Sequence, residues 1–378
     1  MIEPRLLQRA AESAAESKAF LAWDIAHLLN RRVVNRDELS EKLQVRFEDL
    51  PRLELCRTPR RDPDHFRADI AMIADYATAD ASMLAQLVRL SDALLSFSAA
   101  TSVSEERIES EGVRLLAAAR DEANERTVVS TLPPARAHFQ PTWLHQASSR
   151  FWVDEPPSEL PWPVELEVLM RLPLALVELD RLATDRIGDW LAANGAVLHL
   201  HAAPRPLVAA LVAYAGRGVV FIDSGLDEKE RRVSITHEAA HFLGDYLLPR
   251  ESVEQVAPDL VDVFDGLRDV DQGDSVTALL ARVPLGIHSH LLARSASGEF
   301  ISREVEDAEE RATRISWELL APQESIVRRV GDLANAFVLT RMLEEEFGLP
   351  SSTARAYSKF LTRLNGVGDP LKDRFGLK

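Results

Sequence analysis

Residues 234–248 read Ser-Ile-Thr-His-Glu-Ala-Ala-His-Phe-Leu-Gly-Asp-Tyr-Leu-Leu, and His237, Glu238 and His241 within them spell the pattern H-E-x-x-H. On a helix, side chains four residues apart lie on one face, so both imidazoles can bind a single ion. A catalytic zinc ion typically takes three protein ligands and one water molecule. We therefore predict that His237 and His241 are metal ligands and that Glu238 is the general base for the bound water.

A second stretch offers the third ligand. Residues 304–320 have a strongly helical pattern that ends before Pro322. In this pattern Glu309, Ala312 and Ser316 share one face, and the small side chains of Ala312 and Ser316 would let another helix approach closely. A carboxylate on such a face is the ligand that two histidines lack, which makes Glu309 the predicted third ligand.

The two motifs together resemble the ImmA/IrrE family of bacterial metallopeptidases, whose zincin-like domain carries an Arg-rich lead-in, H-E-x-x-H and then E-x-x-A-(N or D)-x-F-A-x-x-L-L-x-P. The matching positions are Arg231, Arg232, His237, Glu238, His241, Glu309, Ala312, Leu319, Leu320 and Pro322. The chain departs from the family pattern at Ala240, Thr313, Ile315 and Ser316, and its gap between the motifs is longer. Glu306, Glu310 and Glu318 are rival third ligands, but only Glu309 stands in the register of the family motif.

The resemblance implies a zinc-dependent endopeptidase that cleaves a regulatory protein, such as a repressor or an antitoxin, in a bacterial stress or mobile-element response. It implies Zn²⁺ on His237, His241 and Glu309, with Mn²⁺ as the alternative ion, and we expect no other cofactor. The alternative is a non-proteolytic regulator, or a toxin–antitoxin component, that uses a zincin-like scaffold to bind protein or DNA. Three residues remain open as the group that stabilises the oxyanion: Tyr246, His288 and His290.

Composition limits the partners and the compartment. The 378 residues carry a formal net charge of −16, which does not favour nucleic acid or an anionic membrane as a partner. A single cysteine excludes an intramolecular disulfide and a cysteine-based zinc site. No signal peptide and no run of 18 apolar residues is visible, so we expect a cytoplasmic protein.

The pattern along the chain predicts an α+β fold that is mostly helical, with a small sheet. We expect a helical N-terminal domain for sensing or substrate docking (1–130), a Pro/Trp-rich connector (131–163), a zincin-like domain (164–325) and a helical C-terminal segment (326–378). The last segment has helix-turn-helix spacing around Gly348. Residues 250–300 are an insertion, whose acidic part (250–283) we interpret as solvated, with a calcium site as the alternative.

Within the zincin-like domain, the periodicity predicts a helix over 164–193, a strand over 196–201, a short helix over 206–214 and a strand over 218–223. The strand at 218–223 precedes the H-E-x-x-H helix. The resemblance implies the same order, because zincin-type peptidases place their metal helix behind a small sheet.

Overall fold

The computed structural model describes residues 4–105, 116–120, 141–153, 159–196, 205–284, 302–330 and 335–364. Within these ranges, helices surround a four-stranded sheet. In chain order the elements are α1 (Pro4–Ala14), α2 (Leu21–Asn30), α3 (Arg36–Leu43), α4 (Leu50–Glu54), α5 (Pro63–Ala77), α6 (Ala81–Glu105), β1 (Leu116–Arg120), α7 (Thr142–Phe151), α8 (Val164–Arg171), β2 (Leu174–Leu179), α9 (Thr184–Ala193), β3 (Ala209–Tyr214), β4 (Arg217–Asp223), α10 (Glu228–His241), a π-helical segment (Phe242–Leu247), α11 (Leu248–Val256), α12 (Val261–Phe264), α13 (Gln272–Ala281), α14 (Arg303–Leu320), α15 (Gln323–Val330), α16 (Ala336–Glu345) and α17 (Ser351–Leu364).

The sheet has the strand order β1-β3-β4-β2. β3 pairs antiparallel with both β1 and β4, whereas β2 pairs parallel with β4. α6 covers the outer edge of β2. From this helix, the Gln86 amide accepts a hydrogen bond from the Leu176 N–H at 2.9 Å and donates one to the Leu176 carbonyl. This side chain pairs the backbone groups that an exposed edge strand would leave open.

Both faces of the sheet are buried. Along β4, Val219 and Phe221 pack into a core shared with helices α2–α6, and Val220 and Ile222 pack into a second core shared with α10 and α14. The N-terminal helices and the H-E-x-x-H helix therefore lie on opposite faces of one sheet. A mostly helical α+β fold is confirmed. The division into domains stays a prediction, although the N-terminal helices share a core with the sheet.

Two sequence predictions for this region are wrong. The helix predicted over 164–193 is interrupted by β2, and the helix predicted over 206–214 is the strand β3. All six residues of β3 are buried. A strand with two buried faces lacks the alternation of apolar and polar residues, so periodicity alone cannot distinguish it from a short buried helix. The strand predicted over 218–223 is confirmed as β4, and most of the strand predicted over 196–201 lies outside the described residues.

The acidic stretch after α10 is folded, and only part of it is exposed to solvent. Val253, Leu260 and Phe264 are buried in the same core as α10 and α14. Asp265 forms an ion pair with Arg250 at 2.8 Å, and Asp274 forms one with Arg268 at 2.6 Å. In the described parts of this stretch no group of side chains is arranged to hold calcium. The described helices also include none that is long and apolar enough to cross a membrane.

The C-terminal segment forms the predicted helix–turn–helix. Gly348 has a φ of +67° between α16 and α17. The turn lies against a buried arginine from the H-E-x-x-H helix: Arg232 donates hydrogen bonds to the carbonyls of Trp162 at 3.2 Å and Phe347 at 3.5 Å. Arg232 thus joins the connector, the H-E-x-x-H helix and the C-terminal turn.

Gly348→Ala is expected to lower the free energy of unfolding by about 1–3 kcal/mol, the usual cost of a strained backbone position. An added Cβ would lie 2.6 Å from Nη1 of Arg232, at a φ that alanine disfavours. Urea unfolding measures the effect. The matched control is Gly188→Ala in α9, whose Cβ meets no atom within 4 Å and which is expected to be neutral or stabilising. Equal stability of the Gly348→Ala variant and the parent would contradict this account of the turn.

Candidate metal centre

The H-E-x-x-H helix is mostly enclosed by its neighbours. Asp227 caps α10 by accepting a hydrogen bond from the Glu230 N–H at 2.9 Å. Every residue from Arg232 to His241 is buried, because α10 packs between the sheet and α14. The helix continues directly into the π-helical segment, a widening that is frequent at functional sites.

α14 supplies the second half of the site. It begins at the predicted place, capped by Ser302, and runs alongside α10. Ala312 and Ser316 are 1% and 2% exposed, as expected for a small-residue face that lets two helices approach closely. Glu309 lies on this face and is 1% exposed.

Three side chains from these two helices converge. The Nε2 atoms of His237 and His241 lie 3.3 Å and 3.7 Å from Oε2 of Glu309, and one ligand atom from each residue lies within 4.8 Å of the others. All three residues are buried. Two imidazole nitrogens and a carboxylate oxygen are ordinary ligands of zinc, so the group can hold a metal ion.

The rival carboxylates of α14 lie elsewhere. Glu310 pairs with Arg314 at 3.6 Å. Glu318 accepts a hydrogen bond from the Gln323 N–H at 3.2 Å and thereby caps α15. Glu306 belongs to no metal-holding group among the described residues. Of the four glutamates considered, only Glu309 lies with the two histidines.

The charges of the three groups are strongly coupled. Burial alone would raise the pKa of the Glu309 carboxyl, but hydrogen bonds and charges from His237 and His241 outweigh burial and hold that pKa well below its usual range. Burial alone would lower the pKa of His241, but the carboxylates of Asp245 and Glu309 raise it to about 10. Histidine binds a metal through a deprotonated nitrogen, so metal binding at this site is coupled to the loss of a proton from His241.

Glu238 is completely buried, one residue after His237 on α10. Burying a carboxylate costs free energy and adds nothing to apolar packing. The position of Glu238 next to a candidate ligand in sequence therefore favours a chemical role over a packing role. The sequence predicts that Glu238 is the general base, and this assignment stays a prediction.

Sequence reasoning missed a fifth residue, Asp245. Its Oδ2 lies 2.8 Å from Nδ1 of His241, and its Oδ1 accepts a hydrogen bond from Nη2 of Arg311 on α14, also at 2.8 Å. A carboxylate behind a ligating histidine fixes the ring orientation and the tautomer of that ring. Asp245 also ties the two metal helices together through Arg311. The available signal was the spacing of four residues between His241 and Asp245, which places both on one helix face.

Asp245→Asn is expected to weaken metal affinity by about 10–100-fold, as is typical when the partner behind a metal-ligating histidine is lost. The amide keeps the shape of the side chain but removes the charge that orients His241. Competition titration of zinc against a chromophoric chelator measures the change, with the exposed Asp259→Asn as control. Unchanged affinity in Asp245→Asn would show that His241 is oriented without this carboxylate.

The candidates for oxyanion stabilisation fall into two groups. Tyr246 is fully buried, and its hydroxyl accepts a hydrogen bond from the Gly216 N–H at 2.6 Å and donates one to Asp265 at 3.1 Å. Because its proton is already donated to Asp265, Tyr246 is a structural residue rather than an oxyanion donor. His288 and His290 lie outside the described residues.

Comparisons with family models, with curated proteins and with solved structures gave no match. The resemblance to the ImmA/IrrE family therefore remains a prediction from the two motifs. The candidate centre is defined by its own geometry: two histidines and a glutamate from two packed helices, with Glu238 beside them and Asp245 behind.

Proposed function

We propose that this protein is a zinc-dependent endopeptidase of the ImmA/IrrE type that cleaves a regulatory protein. The observation that carries the proposal is the convergence of His237, His241 and Glu309, which are buried and have ligand atoms within 4.8 Å of one another although His237 and Glu309 are 72 residues apart in sequence. Mn²⁺ is the alternative ion. A repressor or an antitoxin is the substrate class that the resemblance implies.

The number of ligands favours a catalytic site over a structural one. A structural zinc site is closed by four protein ligands, whereas a catalytic site has three and keeps one position for water. Among the described residues, the group consists of three. A structural site also has no use for Glu238, because a general base contributes nothing to holding an ion.

In the proposed reaction each residue has a separate role. Zinc at this centre would supply an acidic water near neutral pH and polarise the scissile carbonyl. Glu238 would accept a proton from the attacking water and then donate it to the leaving amine nitrogen of the peptide. Asp245 holds the ring of His241, and Arg311 holds Asp245.

The test begins with the metal. Protein purified without added metal should carry about one zinc ion per chain by inductively coupled plasma mass spectrometry, and a manganese signal would identify the alternative ion. The Glu238→Gln protein, which should bind substrate without cleaving it, is then used as a trap, and captured proteins are identified by mass spectrometry. A captured protein that the parent cleaves and the variant does not would establish the reaction. Absence of any stoichiometric transition metal would refute it.

A second candidate function rests on α17. This helix contains no acidic residue, and its exposed positions include Ser351, Ser352, Arg355 and Lys359. In a chain of net charge −16, a basic helix after a tight turn is the feature that favours the alternative, a regulator that binds DNA.

The two functions are separable by experiment. The Glu238→Gln protein should retain salt-dependent DNA binding if the regulator hypothesis holds, and Arg355→Gln with Lys359→Gln should weaken that binding. Under the peptidase hypothesis alone, Arg355→Gln and Lys359→Gln leave peptide cleavage by the otherwise parental protein unchanged, and no DNA binding is detected at physiological salt.

A further inference from the structure

The surface of the N-terminal helices contains a half-open cavity that the metal centre does not use. It has a volume of about 590 Å³ and lies between the loop 56–60 and α5. From α5 it is lined by Asp69, Met72, Ile73 and Tyr76, positions that share one face of the helix. Its size falls in the range of small-molecule sites, about 300–1,000 Å³.

The loop wall is held in place without a ligand. The Leu21 N–H donates to the Cys56 carbonyl, and the Thr58 N–H donates to the Ala19 carbonyl, each at 3.0 Å. Arg60 joins the loop to α5 through its backbone N–H and its guanidinium, which bond to the Asp69 carboxylate at 2.7–2.9 Å. A wall fixed in this way loses little conformational entropy when a ligand binds.

Beyond Asp69, the α5 wall is apolar and open. Met72 and Tyr76, one helical turn apart, are 66% and 69% exposed although both side chains are large. Next to them, Ile73 is buried and closes the floor. Adjacent exposed apolar side chains at the mouth of a cavity are typical of a binding site, because water solvates them poorly.

A cation stands at the same cavity. Arg57 is exposed, and it has no ion pair among the residues that the structure describes. The other arginine of the loop, Arg60, is already neutralised by Asp69 at 2.7 Å. The cavity therefore combines an apolar interior with one available guanidinium, which binds carboxylates through paired hydrogen bonds.

We propose that this cavity binds a small organic acid with an apolar body and one carboxylate, such as a medium-chain fatty acid, whose carboxylate pairs with Arg57. A single cavity of this size suits a small molecule, whereas a stable protein partner would bury about 800 Å² on each side. All lining residues lie between positions 56 and 76, so the site is separate in sequence from the metal centre and does not depend on the proposed peptidase activity.

The protein contains its own reporter for this test. Cys56 is the only cysteine of the chain, and it lines the cavity. A bound ligand should slow alkylation of its thiol, measured by mass spectrometry of the full-length protein at mildly alkaline pH, because burial raises the pKa of this thiol. Decanoate below its micelle concentration is the probe. Decanol and decyltrimethylammonium, with the same apolar body, test the charge requirement.

Two variants and one control locate the binding. Arg57→Gln should weaken protection by decanoate about tenfold or more, as expected for loss of a hydrogen bond to a charged group. Met72→Glu places a carboxylate at the mouth and should also weaken protection, and position 72 is exposed, so the fold tolerates the added charge. Arg52→Gln, an exposed arginine outside the cavity that pairs with Asp49, is the matched control and should change protection less than about twofold.

Saturable protection by decanoate, weaker for decanol and weakened by Arg57→Gln, supports the proposal. Equal protection by decanoate and decanol, or by decanoate in the parent and the Arg57→Gln variant, would overturn the role of the charge. Absence of protection by decanoate would overturn the site itself. Protection that persists in Met72→Glu would place decanoate elsewhere on the protein and would also overturn it.

Discussion

Glu238→Gln is expected to reduce peptide hydrolysis by about 10²–10⁴-fold, the usual contribution of a general base, and to leave the metal content unchanged. Glutamine has the shape of glutamate, so the buried helix α10 should pack as before. Its amide cannot accept the proton of the water, which removes the chemical step without removing the ligands. The rate is measured on the protein captured by the trap, and the metal is measured on the same preparation.

The matched control is Glu228→Gln, the same substitution in the first, exposed turn of the same helix. It should cleave at the parental rate. If Glu238→Gln hydrolysed the captured protein as fast as the parent, Glu238 would not be the base and the proposed reaction would be wrong. If the variant lost its metal together with its activity, the result would instead assign Glu238 a role in holding the ion.

Glu309→Gln is expected to weaken zinc binding more strongly than Asp245→Asn does. Loss of a residue that only hydrogen-bonds to a ligand weakens metal affinity by roughly 10–100-fold, whereas Glu309→Gln changes a ligand itself. The substitution replaces an anionic ligand with a neutral amide and leaves two histidines, which are too few for a stable zinc site. Added zinc should therefore raise the melting temperature of the parent but not of the variant, because a ligand stabilises only the state that binds it.

Glu310→Gln is the control, since Glu310 is the adjacent residue of α14 and pairs with Arg314 instead of the histidines. It should bind zinc as the parent does. Retention of full zinc affinity by Glu309→Gln would mean that another residue is the third ligand. Loss of affinity in Glu310→Gln, with none in Glu309→Gln, would assign that role to Glu310.

Much of the candidate centre was predictable because its order is local. His237 and His241 are four residues apart, so a helix brings them together whatever surrounds it. The helical pattern before Pro322 was equally clear, and the small residues Ala312 and Ser316 indicated the face that packs closely. The family motif then distinguished Glu309 from its neighbours, and the distances between the three side chains agree with that choice.

Other features could not be predicted because they depend on burial from both sides. β3 is apolar on both faces, and β2 is apolar from Leu174 to Val177, since one side of the sheet packs on the N-terminal helices and the other on the core that contains α10 and α14. Their sequences consequently lack the period of two that marks a half-buried strand. The acidic stretch departs from the solvated interpretation only in part: Asp265 and Asp274 pair with arginines, and apolar residues between the charges, such as Phe264, enter the core.

Sequence alone predicts the two helices of the centre, the donors that each presents and the candidate base between the histidines, because these follow from the 3.6-residue period and from side-chain chemistry. Three features follow only from the packing of the folded chain: the two helices lie side by side, Asp245 lies behind His241, and Arg311 binds Asp245 from the other helix. The same packing places the N-terminal helices on the opposite face of the sheet. Such contacts join residues distant in sequence, and they form only when the apolar faces of separate elements are buried against one another.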